Sequence, residues 1–270
     1  MPGPLIAPIR AARLALHLTS GLAMATVYPW LGPVLRRHIL QCWSGNLLRI
    51  LNVRVEFEGA ERHALHHGLI VSNHVSWLDV FVLNAVVPMR FVAKSEVRAW
   101  PVVGWLCARA QTLFIERGKA RSAARMNVQL VELLRRGECL AVFPEGTTTD
   151  GSKVAHFHAS LLQPAIDAGV PVHPLAIRYQ DSDGAFSTTA AYIGDMSFGA
   201  SMWNILSTPQ LHVKLIATRP LEARKMDRRS LAIAVQHQIS TTLCDLHASP
   251  SLLPVAPAAQ LRTETHSRSI

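Results

Sequence analysis

A histidine and an aspartate five residues apart form the pair in this sequence best suited to acid–base chemistry. His74 and Asp79 stand in Leu69-Ile-Val-Ser-Asn-His-Val-Ser-Trp-Leu-Asp79, after a short apolar run and before a helical pattern. On one straight helix the two side chains would point about 140° apart. If the helix begins near Ser76, His74 lies in the preceding turn and the side chains can meet. The carboxylate would then orient the imidazole and leave its other nitrogen free to deprotonate an alcohol.

The same residues also permit a purely structural interpretation. Ser76 and Asp79 have the spacing of a capping box, in which Asp79 bonds the backbone at Ser76 and is favoured by the helix dipole. Spacing alone does not decide between a histidine–aspartate dyad and a helix cap. The chain contains no G-x-S-x-G sequence, which argues against the usual serine hydrolase.

A second polar segment follows another apolar run. In Cys139-Leu-Ala-Val-Phe-Pro-Glu-Gly-Thr-Thr-Thr-Asp-Gly151, Pro144 ends a buried strand and Gly146 permits a tight turn. Glu145 therefore falls at the carboxyl end of a strand, where α/β sheets bind ligands. Taken alone, this segment is also compatible with an ordinary turn.

Short apolar or β-branched runs alternate with helical patterns from Val53 onward. The predicted strands are 53–57, 69–72, 90–93, 112–116, 139–143, 172–179, 190–193 and 211–217. The predicted helices are 78–86, 102–109, 121–136, 160–168 and 227–247. This alternation predicts one α/β domain over residues 53–248, with a mixed, largely parallel sheet covered by helices. Residues 249–270 are rich in Pro, Ala, Ser and Thr, and they predict a flexible tail.

The charge of the chain is concentrated before this domain. The net charge is +9 although only 17% of residues are charged, and residues 1–55 hold six arginines and no acidic residue. Residues 14–35 carry no charge, but Pro29 and Pro33 interrupt them. The uninterrupted helix would be about 22 Å long, short of the roughly 30 Å hydrocarbon core. Residues 1–52 therefore predict a helical hairpin set into one leaflet of an anionic membrane, although ordinary core helices remain an alternative.

Cysteine and histidine do not form the patterns expected of a metal centre. Four cysteines are scattered without a CxxC pair, which predicts no disulfide framework and a reducing compartment. His156 and His158 have no Cys or carboxylate nearby to complete a tetrahedral site. The sequence therefore predicts no metal.

Four short blocks, taken in chain order, carry a family resemblance. They are Asn73-His74-x-x-x-x-Asp79, Phe114-Ile-Glu-Arg117, Phe143-Pro-Glu-Gly-Thr147 and Val172-His-Pro-Leu175. Over roughly residues 50 to 220 the chain resembles the glycerolipid acyltransferases, and most of all the bacterial 1-acylglycerol-3-phosphate acyltransferases. The resemblance implies transfer of an acyl group from acyl-CoA or acyl carrier protein to the free hydroxyl of a lyso-lipid. It implies no cofactor and a location at the cytoplasmic face of the inner membrane.

The resemblance also implies roles for individual residues. His74 matches the general base, and Asp79 matches the residue that orients it. Arg117 and Lys94 match basic positions near the acceptor's phosphate. The residues implied to bind the acceptor are Asn73, Lys94, Arg117, Glu145, Gly146 and Thr147, of which the last three belong to the block that shapes the acceptor site.

Two departures from the family pattern leave the acceptor open. Gln111 stands where the second block usually has glycine, and Thr148 stands where the third block usually has arginine. The resemblance implies 1-acylglycerol-3-phosphate as the acceptor and phosphatidic acid as the product. Because Thr148 cannot supply a bidentate guanidinium, another lyso-lipid such as lyso-ornithine lipid is the alternative acceptor. A non-enzymatic basic membrane or nucleic-acid binder is a further alternative. The basic residues within 219–229 support it, but the absence of basic–aromatic interleaving argues against nucleic acid.

Overall fold

One sheet of eight strands forms in the part of the chain that this computed structural model describes, namely residues 6–59, 62–116 and 120–248. The strands are β1 (Val53–Gly59), β2 (Gly68–Ser72), β3 (Arg90–Lys94), β4 (Leu113–Ile115), β5 (Cys139–Val142), β6 (Pro171–Gln180), β7 (Leu211–Ala217) and β8 (Leu221–Glu222). Their order is β1-β7-β6-β2-β5-β3-β4, and β8 pairs with β6. All neighbours are parallel except β6, which runs antiparallel to β7 and β8. The predicted mixed, largely parallel sheet is confirmed.

Helices cover both faces of the sheet. They are α1 (Ile6–Val27), α2 (Pro33–Ile50), α3 (Asp79–Val86), α4 (Val103–Arg109), α5 (Ala120–Arg135), α6 (Gln163–Ala168), α7 (Phe198–Ser207) and α8 (Arg228–Ala248). Side chains from α1, α2, α3 and α7 share one buried cluster with Ile70 and Ile177 of the sheet. Side chains from α5, α6 and α8 share the other with Leu69 and Val71. Neighbouring residues of β2 therefore face opposite layers, as the alternation of a strand requires.

The central strands explain why the apolar runs predict this sheet well. Every residue of β2 and β5 is buried, as expected for parallel strands that are covered on both faces. The residues of β7 alternate between buried and half-buried because this strand lies next to the edge. Both central strands end at the same edge of the sheet, since they are parallel.

The structure corrects the sequence-based prediction in four places. The predicted strand 190–193 is wrong: the Tyr192 N–H donates to the Val75 carbonyl at 3.0 Å, so this backbone bonds the turn after β2 instead of a strand. Helix α7, which begins after the capping Ser197, and the short strand β8 were not predicted. Helix α3 (Asp79–Val86), by contrast, agrees with the predicted helix 78–86 to within one residue. The predicted helix 160–168 divides into a 3-10 turn and α6.

The two N-terminal helices form the predicted hairpin and pack against the α/β domain. A 3-10 turn and Gly32 separate α1 from α2, so the bend lies at the prolines, as predicted. The Arg10 guanidinium donates to the Pro209 carbonyl at 2.7 Å, which joins α1 to the segment after α7. The Gln41 amide donates to the Val86 carbonyl at 3.1 Å, which joins α2 to the end of α3. Within the described ranges, no helix has both the length and the apolar content to cross a bilayer.

Candidate active site

The His74 and Asp79 side chains meet in the turn that leaves β2. The Nδ1 atom of His74 lies 2.8 Å from Oδ2 of Asp79. An ionised carboxylate can only accept hydrogen bonds, so Nδ1 carries the proton and donates it to Asp79. In the neutral imidazole, Nε2 then has a free lone pair. The two side chains can meet because α3 begins only at Asp79, so that only the short turn after β2 separates the two residues.

Asp79 is the first residue of α3, and its carboxylate also bonds the backbone of the turn before the helix, including the predicted bond at Ser76. Among the described residues, no side chain caps α3 itself. Its Oδ2 accepts hydrogen bonds from the Val75 N–H at 2.7 Å and from the Ser76 N–H at 3.0 Å. Its Oδ1 accepts from the Tyr179 hydroxyl at 2.7 Å. Asp79 is 0% exposed, and these donors stabilise its buried negative charge. Burial, together with the neighbouring Asp79 carboxylate, raises the pKa of Tyr179 well above its ordinary value, so Tyr179 stays a donor.

Asn73 fixes the turn to the neighbouring strand. Its side-chain amide donates to the Ile177 carbonyl at 2.9 Å, and its side-chain oxygen accepts from the Ile177 N–H at 2.8 Å. The side chain thus completes the hydrogen bonding of β6 at the place where β2 leaves the sheet. Asn73 is buried, and these two bonds hold the residue before His74 against β6. The contact of Asn73 with the acceptor stays a prediction.

The His74 ring is supported on one side and open at Nε2. It stacks on the Phe143 ring with 4.0 Å between centroids and 9° between planes. The His74 side chain is 20% exposed, and its Nε2 bonds no described residue. The ring is therefore fixed in orientation while its basic nitrogen stays available to a ligand. This arrangement can remove a proton from a hydroxyl group that approaches the carboxyl edge of the sheet.

Glu145 accepts hydrogen bonds from the backbone of the turn at His74 and from the backbone of a second loop. One carboxylate oxygen accepts from the His74 N–H at 2.6 Å, and the other accepts from the Ala155 N–H at 2.9 Å. Burial raises the pKa of Glu145 above its ordinary value, although both backbone N–H groups and the His74 imidazole partly oppose this shift. Glu145 therefore shapes the site by joining two loops.

Glu145→Gln is expected to reduce the pH dependence of stability in the mildly acidic range. Because the pKa of Glu145 is raised in the fold, the folded protein binds this proton more tightly than the unfolded chain does. Stability therefore falls as the pH rises from the ordinary glutamate value through the raised one. Thermal unfolding of both proteins across this range tests the expectation. The stability of the wild type relative to the variant should decline with rising pH, and a constant difference would contradict the assignment.

Three other predicted site residues, Lys94, Gly146 and Thr147, lie on the same edge of the sheet. Lys94 is exposed at the end of β3, next to β5 in the sheet. Gly146 has a positive φ of 69° and donates its N–H to the Phe143 carbonyl at 3.0 Å, which closes the turn that exposes Thr147. Arg117 lies outside the described residues. The site thus brings together the first and third blocks, with Lys94 to one side.

Three residues that contact the site were not identified from the sequence. The Thr149 N–H donates to the His74 carbonyl at 2.8 Å, and the Thr148 hydroxyl donates to the Tyr192 carbonyl. Tyr179 completes the shell of donors around Asp79. A tyrosine at the end of the predicted strand 172–179 was the available signal for Tyr179. The contacts of Thr149 and Tyr192 depend on how two distant loops meet, and no local pattern indicates them.

Comparisons with known proteins find acyltransferases. The sequence profile of the family described as acyltransferase matches residues 54–178. A lyso-ornithine lipid O-acyltransferase of Pseudomonas aeruginosa is 36% identical over 246 residues, which cover 87% of this chain and 92% of that protein. A 1-acyl-sn-glycerol-3-phosphate acyltransferase of Neisseria gonorrhoeae is 36% identical over 178 residues, which cover 66% of this chain and 69% of that protein.

A solved structure agrees with the fold. The crystal structure of the 1-acyl-sn-glycerophosphate acyltransferase PlsC from Thermotoga maritima is similar with a TM-score of 0.61 and 22% identity, and it covers 88% of this chain and 98% of that one. This similarity confirms the α/β architecture. The match of the family profile and the near full-length relative show the family. The chain belongs to the acyltransferase family.

Proposed function

We propose that this acyltransferase moves an acyl group from a thioester donor to the free hydroxyl of a lyso-lipid at a membrane surface. The observation that carries the proposal is the pair of His74 and Asp79, in which Nδ1 is held by a buried carboxylate and Nε2 is open. Membership of an enzyme family decides against the alternative of a non-enzymatic basic binder. Acyl-CoA or acyl carrier protein is the proposed donor.

The proposed reaction is a direct transfer without a covalent enzyme intermediate. Nε2 of His74 takes the hydroxyl proton while the hydroxyl oxygen attacks the thioester carbonyl carbon. A carbon–oxygen bond forms, the carbon–sulfur bond breaks, and the leaving thiolate takes the proton from His74. Asp79 stabilises the imidazolium that exists between these two proton transfers. Tyr179 and the two N–H groups of the turn keep Asp79 in place.

We propose lyso-ornithine lipid as the acceptor, with 1-acylglycerol-3-phosphate as the second candidate. Residues 143–152 contain Glu145 and Asp150 but no basic residue, and Thr148 replaces the usual arginine. An ornithine headgroup is a zwitterion whose ammonium group can face this loop, whereas a phosphate brings only negative charge. The relative from P. aeruginosa, which carries this name, also matches nearly full-length. The relative from N. gonorrhoeae and the exposed Lys94 favour the second candidate.

A direct assay distinguishes the two acceptors. The purified full chain, given a labelled acyl thioester, is expected to acylate lyso-ornithine lipid with a higher kcat/KM than 1-acylglycerol-3-phosphate, as measured by mass spectrometry of the products. The reverse preference would establish the second candidate. Hydrolysis of the thioester without acylation of either lipid would refute the proposed function.

Thr148→Arg is expected to shift the acceptor preference toward the phosphate. A guanidinium that bonds a phosphate contributes about 1.5 to 3 kcal/mol, so the ratio of kcat/KM for the phosphate acceptor over lyso-ornithine lipid should rise about tenfold or more. Ser152→Arg is the matched control, because it adds the same charge at an exposed position near the same loop. An equal shift in both variants would mean that general charge, and not position 148, sets the preference.

The N-terminal hairpin is the proposed membrane anchor. Leu16, Trp30 and Val34 are exposed although they are strongly apolar, which disfavours the alternative of ordinary core helices. Exposed Arg13 and Arg37 stand near them, and each basic residue near an anionic leaflet contributes roughly 1 kcal/mol. We therefore propose that residues 1–52 lie in the cytoplasmic leaflet of the inner membrane. The carboxyl edge of the sheet, with Lys94 and Thr147, would then receive the acceptor from the bilayer.

A further inference from the structure

The connection between β3 and β4 exposes an unusual set of apolar side chains. Trp100 is 44% exposed, Val102 55% and Trp105 38%. The 3-10 turn Ser95–Ala99 buries no residue, and α4 buries only Gly104. Most apolar residues of a connection between two strands would normally pack on the sheet. These three side chains instead face solvent together, which indicates a surface made for a partner.

Two arginines accompany these apolar side chains. The Arg109 guanidinium lies 5.3 Å from the Trp105 ring centroid, and the Arg98 guanidinium lies 5.8 Å from the Phe114 ring centroid. Neither guanidinium pairs with a carboxylate of any described residue. We call Arg98, Trp100, Val102, Trp105 and Arg109 the Trp–Arg patch. Its partner should therefore be apolar in part and negatively charged in part.

The backbone at the centre of this patch is strained. Val102 has a φ of 63° and a ψ of −56°, a region that β-branched residues rarely adopt. Such a conformation typically costs on the order of 1 to 3 kcal/mol. Burial of the Val102 side chain does not offset this cost, because the side chain is exposed. The strained backbone at Val102 therefore holds an apolar side chain in solvent, as is common at binding surfaces.

The position of the patch relates it to both the active site and the hairpin. The connection begins at Lys94, at the edge of the sheet where β2 and β5 also end and where His74 and Glu145 lie. Helix α4 also packs against α1 of the hairpin. The patch is thus continuous with the surface that we propose to lie in the membrane.

We propose that the Trp–Arg patch is a second membrane contact, which enters the interface of an anionic bilayer beside the N-terminal hairpin. This inference rests on the proposed membrane function. Tryptophan and arginine both favour the interface, where an apolar ring meets lipid tails and a guanidinium meets phosphates. A hairpin alone leaves the domain free to tilt. A second contact beside β3 fixes the carboxyl edge of the sheet toward the bilayer, so that a lyso-lipid hydroxyl reaches His74.

A protein such as an acidic acyl carrier is the competing occupant. A stable protein interface covers about 800 Å² on each partner, which is more than five partly exposed side chains supply. A bilayer has no such requirement, because the hairpin already supplies most of the binding. The size of the patch and its contact with α1 therefore favour lipid.

The test compares variants of the full chain on vesicles that contain equal parts phosphatidylcholine and phosphatidylglycerol. The double variant Trp100→Ser, Trp105→Ser is expected to bind these vesicles on the order of tenfold more weakly than the wild type in cosedimentation. Ile233→Ser on α8 is the matched control, because it removes a similarly exposed apolar side chain far from the hairpin, and its binding should not change. Vesicles should also protect the amides of residues 98–109 from hydrogen exchange in the wild type.

The outcomes separate this inference from the proposed function. The second contact is overturned if the double variant binds vesicles as well as the wild type does and if vesicles leave residues 98–109 of the wild type unprotected. The proposed function would survive this result, because the wild type would still bind through its hairpin. Unchanged vesicle binding with a raised KM for an acyl carrier protein donor assigns the patch to a protein instead. Activity on acceptor dissolved in detergent micelles tests the chemistry alone. It should stay within about twofold of the wild type in the double variant, which also verifies that this variant is folded.

Discussion

His74→Ala is expected to lower kcat by about 10²- to 10⁴-fold, the range that general-base assistance supplies. The variant removes the imidazole between Asp79 and Phe143, whose Nε2 bonds no described residue and is open to a ligand. Because the ring is partly exposed and the turn is held by backbone bonds to Glu145 and Thr149, folding should be retained. Acyl transfer by purified protein, measured together with thermal unfolding, tests both parts of this expectation.

A histidine elsewhere on the surface provides the control for this variant. His237 is exposed on α8, so His237→Ala should keep full activity. A donor that still binds to the His74→Ala protein would show that the loss lies in the chemical step. Activity of His74→Ala within a few-fold of the wild type would contradict the role of His74 as the base.

Asp79→Asn is expected to reduce both activity and stability. The carboxylate accepts four hydrogen bonds, from His74, Val75, Ser76 and Tyr179, and an amide can reproduce only part of this set. If the amide nitrogen faces His74, it donates to Nδ1, and the proton moves to Nε2, where it blocks the base. We expect a loss of about 10²-fold or more in kcat and about 2 to 4 kcal/mol in the free energy of unfolding.

Tyr179→Phe separates the two roles of this carboxylate. It removes one donor to Oδ1 but leaves the bonds of Oδ2 to His74 and to the turn. Its effect on unfolding should therefore resemble that of losing one charged hydrogen bond, about 1.5 to 3 kcal/mol, while kcat falls much less than in Asp79→Asn. Equal losses of kcat in both variants would mean that Asp79 acts only by holding the turn before α3.

The sheet was predictable because its central strands are buried on both sides. Continuous apolar runs such as those in β2 and β5 are read directly from the sequence, and the first and third blocks fall at their carboxyl ends. Helix α7 was missed because Gly199 and Ser201 weaken its helical pattern, and Ser201 is instead buried and accepts a hydrogen bond from the Trp77 indole. The strand predicted at 190–193 failed because its apolar residues serve a loop that bonds the turn at Val75.

The candidate site could also be predicted in part from the sequence and in part only from the fold. The spacing of His74 and Asp79 indicated that the two side chains could meet, and the resemblance gave them roles. Spacing could not decide between the dyad and a bond to the Ser76 backbone, because the carboxylate has enough lone pairs to accept both bonds. The contribution of Tyr179 required the register of β6 against β2, which is a property of the fold and not of any local segment.

The lipids of cells that lack this protein test the central claim most directly. Mass spectrometry should find that lyso-ornithine lipid accumulates while its acylated product falls, and a plasmid carrying the wild-type chain should reverse both changes. The same plasmid with His74→Ala should reverse neither, although it produces the protein at the same level. If no lyso-lipid accumulates, or if His74→Ala restores the product as well as the wild type does, acyl transfer to a lyso-lipid with His74 as the base is contradicted.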